Sequence, residues 1–202
     1  MRKIVLIGAA ILAVLACGRS KTGGFSSGEL EILNGADSIM RVLTVEDSVD
    51  YAVLRAVSRD FSAKELMSEE FGKLGRRMVA TVTHPSQDGV GIAGPQVGLS
   101  RRVVAVQRFD KEGEPFEVYA NVRIVWMSDS LACGPEGCLS VPDRRGNVLR
   151  SQQIVIEYAD LASLSHSCDD IQMARDTVSG FTAVIFQHEI DHLVGVLYID
   201  RL

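Results

Sequence analysis

The chain carries, near its C-terminal end, the stretch Phe181-Thr182-Ala183-Val184-Ile185-Phe186-Gln187-His188-Glu189-Ile190-Asp191-His192. The apolar run predicts a helix that is hydrophobic nearly all round, and such a helix is buried. Residues four apart share one helix face, so His188 and His192 can reach one metal ion, and Glu189 lies close enough to handle the protons of a metal-bound water. Burying two histidines and two carboxylates without partners costs several kcal/mol, which favours a metal site over a solvated helix.

A catalytic divalent metal ion binds three protein ligands and leaves one position open for water. Downstream of His192, Tyr198 occupies the place where metzincins have a third histidine, and Asp200 is the only carboxylate. The third ligand is therefore expected upstream, where five residues have suitable chemistry: Cys133, Cys138, Cys168, His84 and His166. Cys138 lies in residues 134–142, a Gly/Pro-punctuated stretch that predicts a tight turn able to present a thiolate and backbone N–H groups.

Composition places the chain among single-domain globular proteins. Its 202 residues and 47% hydrophobic content suffice for one well-packed domain but not for two large ones. The formal net charge is −5, and basic residues form no run outside the extreme N-terminus. The sequence therefore predicts no nucleic-acid partner.

The N-terminal segment predicts export. Met1-Arg2-Lys3 precedes an apolar run, residues 4–15, that is too short to span a bilayer and is typical of a cleaved signal. Val14-Leu15-Ala16-Cys17 resembles a bacterial lipoprotein box, which implies a signal peptide over residues 1–17 and a lipid anchor at Cys17. The Gly/Ser-rich residues 18–40 are then expected to form a flexible tether, and residues 41–202 a monomeric metallohydrolase domain held at the membrane. If the signal is not used, the protein is cytoplasmic.

The domain is expected to mix helices with runs of strands. Apolar spacing predicts a helix from Glu65 to Thr83 that ends before Pro85. Strands are predicted at residues 102–107, 116–120, 122–127, 154–159 and 196–199. Because the strands come in runs rather than alternating with helices, the sequence predicts an α+β fold packed around the buried histidine helix.

Three cysteines follow the predicted signal peptide: Cys133, Cys138 and Cys168. In an exported chain, an odd number leaves at least one cysteine without an intramolecular disulfide partner, and a metal-bound thiolate would account for it. A Cys133–Cys168 disulfide and two free buried thiols both remain open.

Three separated segments together resemble the peptide deformylase family: Gly89-Val90-Gly91-Ile92-Ala93-Gly94-Pro95-Gln96, Glu136-Gly137-Cys138-Leu139-Ser140 and His188-Glu189-Ile190-Asp191-His192. They occur in the family's order with similar spacing, over roughly residues 41–202. The resemblance implies mixed or antiparallel β-sheets packed around a central helix that carries the H-E-x-x-H motif. It also implies one bound divalent metal ion, Fe²⁺, which Zn²⁺, Ni²⁺ or Co²⁺ can replace.

Carried over by position, the resemblance also implies roles for single residues. It implies three metal ligands: Cys138, His188 and His192. Glu189 is then the general acid/base, and Gln96 and the backbone N–H of Leu139 form the oxyanion hole, while Gly91 lines the peptide groove. The implied reaction removes the N-formyl group from N-formylmethionyl peptides through attack by a metal-bound hydroxide, and releases formate and a free amino terminus.

Two other functions stay open at this stage. Gly195 matches the glycine of the metzincin pattern, which together with the predicted export favours a metallopeptidase of a different substrate class. A lipoprotein that binds peptides without turnover would keep the fold alone. The chain also departs from the family pattern at Gly94, where the family usually has alanine, and this predicts a looser loop behind Gln96.

Overall fold

The computed structural model describes residues 24–164 and 170–202. The α-helices in these ranges are α1 (Ser27–Leu33), α2 (Ser48–Leu54), α3 (Ala63–Leu66), α4 (Glu69–Val82) and α5 (Gly180–His192). The strands are β1 (Gly91–Ala93), β2 (Val103–Gln107), β3 (Phe116–Ala120), β4 (Arg123–Met127), β5 (Leu131–Cys138), β6 (Val141–Ser151), β7 (Gln153–Ala159) and β8 (Met173–Ser179). Short 3₁₀ helices cover Gly94–Val97 and Tyr198–Arg201. The predicted signal peptide, Cys17, His166 and Cys168 lie outside the described residues.

The strands form three antiparallel units, in the orders β1-β2-β3, β4-β7-β8 and β5-β6. Helix α5 contacts strands of all three units, and ten of its residues are buried. The predicted α+β arrangement, with antiparallel sheets and helices, is therefore what the structure shows. Apolar side chains of α5, such as Ala183, Phe186 and Ile190, pack against β2, β3, β7 and β8 in one core cluster.

A second core cluster joins α4 to the first sheet. Leu74, Met78 and Val82 of α4 are fully buried against Ile92 and Val103. The predicted helix at residues 65–83 is divided in two, because the Ser68 hydroxyl accepts a hydrogen bond from the Phe71 N–H and caps the start of α4.

The prediction of a flexible tether at residues 18–40 is wrong from residue 24 onward. Helix α1 begins with a capping box between Ser26 and Glu29. The Phe25 ring packs against the Phe61 ring, and Leu33 and Met40 are buried in the core. The apolar residues scattered through a Gly/Ser-rich composition therefore fix this segment to the domain.

Two further local predictions are corrected by the structure. The strand expected at residues 196–199 is absent from the described C-terminal part, because Gly195 adopts φ +73° and the chain turns into the 3₁₀ helix Tyr198–Arg201. The tight turn expected over residues 134–142 is confined to Leu139 and Ser140, where β5 and β6 join in a hairpin. Within residues 24–164 and 170–202, the helices are too short or too polar to cross a bilayer.

Candidate active site

The hairpin of β5 and β6 brings Cys138 to the face of α5 that carries the two histidines. One ligand atom from each of Cys138, His188 and His192 lies within 4.8 Å of the other two. The Cys138 Sγ and His192 Nε2 atoms are 3.3 Å apart. Two of the other upstream candidates lie elsewhere, because the His84 ring is half-buried beside the Ser86 hydroxyl and Cys133 is exposed on β5.

A buried network of charged side chains contacts this group through His188. The Glu136 carboxylate lies 2.8 Å from His188 Nδ1 and accepts two hydrogen bonds from Arg150, at 2.7 and 3.0 Å. Arg150 also donates to Asp191 at 2.7 Å, and Asp191 accepts another hydrogen bond from Arg201. Burial would raise the pKa of Glu136, but the hydrogen bonds from His188 and Arg150 lower it to about 2, so this carboxylate is ionised.

The donor set fits a divalent transition-metal ion. Because Glu136 engages His188 Nδ1, the Nε2 atom of that ring remains to face an ion, as in the carboxylate–histidine–metal arrangement. Burial would lower the pKa of His188, but hydrogen bonds with Cys138 and Glu136 raise it to about 10, so these neighbours stabilise positive charge. One sulfur and two imidazole nitrogens suit zinc and iron rather than magnesium or calcium.

Glu189 lies beside this group without a hydrogen-bonded partner for one of its oxygens. Its Oε2 atom is buried and unpaired among the described residues, and burial raises the pKa of the carboxyl to about 7. A carboxyl with a pKa near the working pH can both accept and donate a proton. Gly91 provides the space, because a Cβ atom there would lie 2.5 Å from Glu189 Oε1.

Two hydrogen-bond donors flank Cys138. The Ala93 N–H donates to Gln96 Oε1 at 2.8 Å, so the Gln96 amide nitrogen faces the Ser140 hydroxyl at 3.3 Å and the Cys138 sulfur at 3.5 Å. The Leu139 N–H donates to no other group in the described part of the chain. The Leu139 N–H and the Gln96 amide therefore both lie within reach of an oxygen atom bound next to Cys138, and the Leu139 N–H has no competing acceptor among the described residues.

The loop that carries Gln96 is packed more tightly than the sequence predicted. A Cβ atom at Gly94 would lie 2.5 Å from the Arg101 carbonyl oxygen and 2.9 Å from that of Leu99. Gly94 itself accepts a hydrogen bond from the Leu99 N–H at 3.0 Å. The glycine therefore permits close packing and does not loosen the loop.

The metzincin-like spacing has a structural explanation. A Cβ atom at Gly195 would clash with the Arg55 carbonyl oxygen, and the glycine has positive φ. The Tyr198 hydroxyl donates to the Arg144 carbonyl oxygen at 2.8 Å. Both residues therefore shape the chain after α5.

The candidate site opens into a cleft of about 740 Å³. Its walls include apolar side chains of Val90, Leu139, Val184 and Ile185, and its base includes the candidate metal ligands Cys138 and His188. Charged side chains, among them Arg144 and Arg145, also line the cleft, so it offers contacts to an apolar side chain and to the polar groups of an extended peptide.

Sequence reasoning missed the supporting residues. Glu136 begins the segment Glu136–Ser140 that resembles the family, but the neighbouring sequence does not predict that it contacts His188. Arg150 carries no local signal, since only the pairing of β5 with β6 places its guanidinium beside Glu136. The one available sign was Asp191, a carboxylate on a buried helix that requires a charged partner.

A Cys–His–His group, a buried carboxyl and two hydrogen-bond donors that meet at one cleft define the centre of a metal-dependent amide hydrolase. The family model for polypeptide deformylase matches residues 39–202. A peptide deformylase of Leptospira biflexa serovar Patoc is 38% identical over 157 residues, which is 74% of this chain and 82% of that relative. One of Streptococcus pyogenes is 35% identical over 188 residues, with 80% of this chain and 86% of the relative covered.

Solved structures agree with this assignment. The class I type b peptide deformylase from Acinetobacter baumannii bound to Met-Ala-Ser has a TM-score of 0.67 and 34% identity, over 81% of this chain and 98% of that one. The peptide deformylase from Thermotoga maritima has a TM-score of 0.67 and 30% identity, over 81% of this chain and 97% of that one. The chain belongs to the peptide deformylase family, whose members are metal-dependent amidases.

Proposed function

We propose that the protein removes the N-formyl group from N-formylmethionyl peptides and releases formate and a free amino terminus. The observation that carries the proposal is the convergence of Cys138, His188 and His192 within 4.8 Å, beside the buried carboxyl of Glu189. The Acinetobacter baumannii relative was solved with Met-Ala-Ser, the product that such a reaction would leave from the matching formylated tripeptide.

Cys138, His188 and His192 are the residues that would hold the metal ion. Fe²⁺ is the ion that we propose from the family resemblance, with Zn²⁺, Ni²⁺ or Co²⁺ as replacements. A divalent ion bound there polarises a carbonyl oxygen and lowers the pKa of a water molecule.

The surrounding residues orient the substrate and move the protons. As negative charge grows on the formyl oxygen, the Gln96 amide and the Leu139 N–H donate hydrogen bonds to it, and one such donor is worth about 2.7–4 kcal/mol of the barrier. The Glu189 carboxylate accepts a proton from the attacking water and passes it to the departing amine. Gly91 leaves room for this carboxylate at the edge of the cleft.

Formate release tests the proposal. Purified protein loaded with Fe²⁺ or Ni²⁺ should release formate from formyl-Met-Ala-Ser. Glu189→Ala should lose about two to four orders of magnitude in kcat, because the general acid/base is gone. Equal rates for the two proteins would reject the proposed chemistry.

We also propose that the protein acts outside the cytosol as a monomer, anchored by a lipid at Cys17. The support is the basic and apolar N-terminal segment followed by Cys17. On the outer side of the membrane the substrates would be free formylated peptides rather than nascent chains. Cell fractionation tests the anchor: the unaltered protein should be found with membranes, and Cys17→Ser should not be lipidated.

A further inference from the structure

A short bridging segment, residues 43–45, is hydrogen-bonded to both elements of the oxyanion site. The Leu43 N–H donates to the Gln96 carbonyl oxygen at 2.8 Å. The Val45 N–H donates to the Ser140 carbonyl oxygen at 2.9 Å. Gln96 supplies one of the two donors, and Ser140 directly follows Leu139, which supplies the other. One piece of backbone therefore connects two elements that are more than forty residues apart in sequence.

The N–H between these two has a different partner. The Thr44 N–H donates to the Asp50 carboxylate at 3.1 Å. In an extended chain, consecutive N–H groups point to opposite sides. The Leu43 and Val45 N–H groups accordingly face the oxyanion elements, and the Thr44 N–H faces Asp50. Asp50 therefore holds the bridging segment from the side away from the active site.

Asp50 is itself held in a fixed orientation. It is 5% exposed and lies in the first turn of α2, where the Asp47 side chain accepts a hydrogen bond from its N–H. Both Asp50 oxygens accept hydrogen bonds from the Arg41 guanidinium, at 2.9 and 2.7 Å. A bidentate pair of this kind fixes both distance and plane. Arg41 lies just before the bridging segment, so the ion pair closes a loop around it.

The position of this segment matters because catalysis depends on the placement of donors. A shift of about 1 Å in a group that contacts the reacting atoms can cost about 10²-fold in rate. The Gln96 amide and the Leu139 N–H belong to different elements, which are linked directly by the contacts of the Gln96 amide nitrogen with the Ser140 hydroxyl at 3.3 Å and the Cys138 sulfur at 3.5 Å. The bridging segment adds two backbone hydrogen bonds to these two side-chain contacts.

We propose that Asp50 and Arg41 are positioning residues for the reaction. By fixing the bridging segment they set the separation between the Gln96 amide and the Leu139 N–H, although neither residue lies in the cleft. The inference rests on the proposed function in one respect, which is the role of these two donors in stabilising the transition state.

Amide hydrogen exchange tests the positioning without reference to activity. In Asp50→Asn and in Arg41→Met, a peptide covering residues 42–46 should exchange up to about tenfold faster, because the Leu43 and Val45 N–H groups are the donors of the two bridging hydrogen bonds and would each lose the support of about one hydrogen bond. The matched control is Arg175→Met, because Arg175 has the same side-chain exposure as Arg41, 67%, and pairs with Glu157 on a distant sheet. Unchanged exchange in both test variants would overturn the proposal.

Kinetics supply the second readout. The two variants should lose about tenfold in kcat, less than the loss from deleting a donor, with KM and metal content unchanged. Arg41→Lys, which keeps the charge but not the bidentate geometry, should recover part of the rate. A lower unfolding temperature with unchanged kcat would make the pair merely structural and overturn the proposal. If the unaltered protein released no formate, the proposed function would fail, while the exchange experiment would still decide the positioning.

Discussion

At the residue scale, neighbouring groups give the carboxyls of the site different properties. Glu136 accepts hydrogen bonds from Arg150 and contacts His188, and its pKa falls to about 2. Glu189, two residues after Gln187 on α5, accepts no hydrogen bond of the kind that Glu136 accepts, within the residues that the structure describes. Burial therefore raises the pKa of the Glu189 carboxyl to about 7. The carboxylate that is ionised near neutral pH therefore orients the candidate ligand His188, and the other is suited to proton transfer.

Glu136→Gln should weaken metal binding. The amide cannot reproduce the charge that holds the His188 ring and satisfies Arg150, and a lost outer-shell partner typically costs 10–100-fold in metal affinity. Competition with a chelator on the zinc-loaded protein measures the change. Glu157→Gln, at an exposed ion pair on β7, is the control and should bind zinc like the unaltered protein. Equal affinity for Glu136→Gln would contradict the support that we assign to this residue.

Gly91→Ala should reduce kcat by about 10²-fold, because the new methyl group would displace the Glu189 carboxylate. The matched control is Gly134→Ala on β5, where a Cβ atom would meet no atom within 4 Å. Formate release by the two folded variants measures the difference. A fully active Gly91→Ala protein would show that Glu189 does not need its present position.

The sequence predicted the candidate metal ligands that the structure brings together, but not the residues that support them. The spacing of His188 and His192 follows from helix geometry, which is local. Its Gly/Pro-punctuated stretch favoured Cys138 among the upstream candidates, but its role as a ligand came from the resemblance, because its approach depends on how a hairpin packs against α5. Arg150 was not predicted, because its contacts depend on the pairing of β5 with β6 and on the packing of that hairpin against α5.

At the scale of elements, α1 is the largest departure from the sequence prediction. Composition indicated a tether, but the Ser26–Glu29 capping box, the buried Leu33 and Met40 and the partly buried Phe25 outweigh the glycines and serines. The 196–199 strand failed for the opposite reason: its β-branched and apolar residues suggested a strand, while the turn at Gly195 and packing of Tyr198 produced a 3₁₀ helix.

Leu33→Ala should lower the free energy of unfolding by about 2–5 kcal/mol, because the side chain is buried in the core that α1 shares with α4. Glu31→Ala, at an exposed position of the same helix, should change it by less than about 0.5 kcal/mol. Urea unfolding of both variants measures the difference. Equal stability would restore the original interpretation of this segment as a tether.

At the scale of the whole molecule, Arg101 joins the N-terminal segment to the domain. Its guanidinium is fully buried and pairs with Glu29 of α1 and Glu65 of α3. Burial would raise the pKa of both carboxyls, but the hydrogen bonds from Arg101 and from Ser26 or Ser62 lower it below its usual value. The ion pairs therefore stabilise the fold above the unfolded-state pKa of about 4.3 and lose this contribution as pH falls.

Arg101→Met should cost about 3–5 kcal/mol of unfolding free energy near pH 7, because it removes the fully buried partner of two carboxylates and leaves them only the more exposed Arg59 as a cation. The difference from the unaltered protein should shrink as pH falls below about 4.3, where the carboxyls become protonated. Urea unfolding between pH 7 and pH 3 measures it. A difference that stays constant over this range would mean that the loss comes from packing alone.

X-ray absorption spectroscopy of the zinc-loaded protein tests most directly whether one sulfur and two imidazoles bind a single ion. We expect one sulfur at about 2.3 Å and two imidazole nitrogens at about 2.0–2.1 Å, with the sulfur lost in Cys138→Ser. A coordination shell without sulfur in the unaltered protein would contradict the metal centre on which the proposed reaction depends.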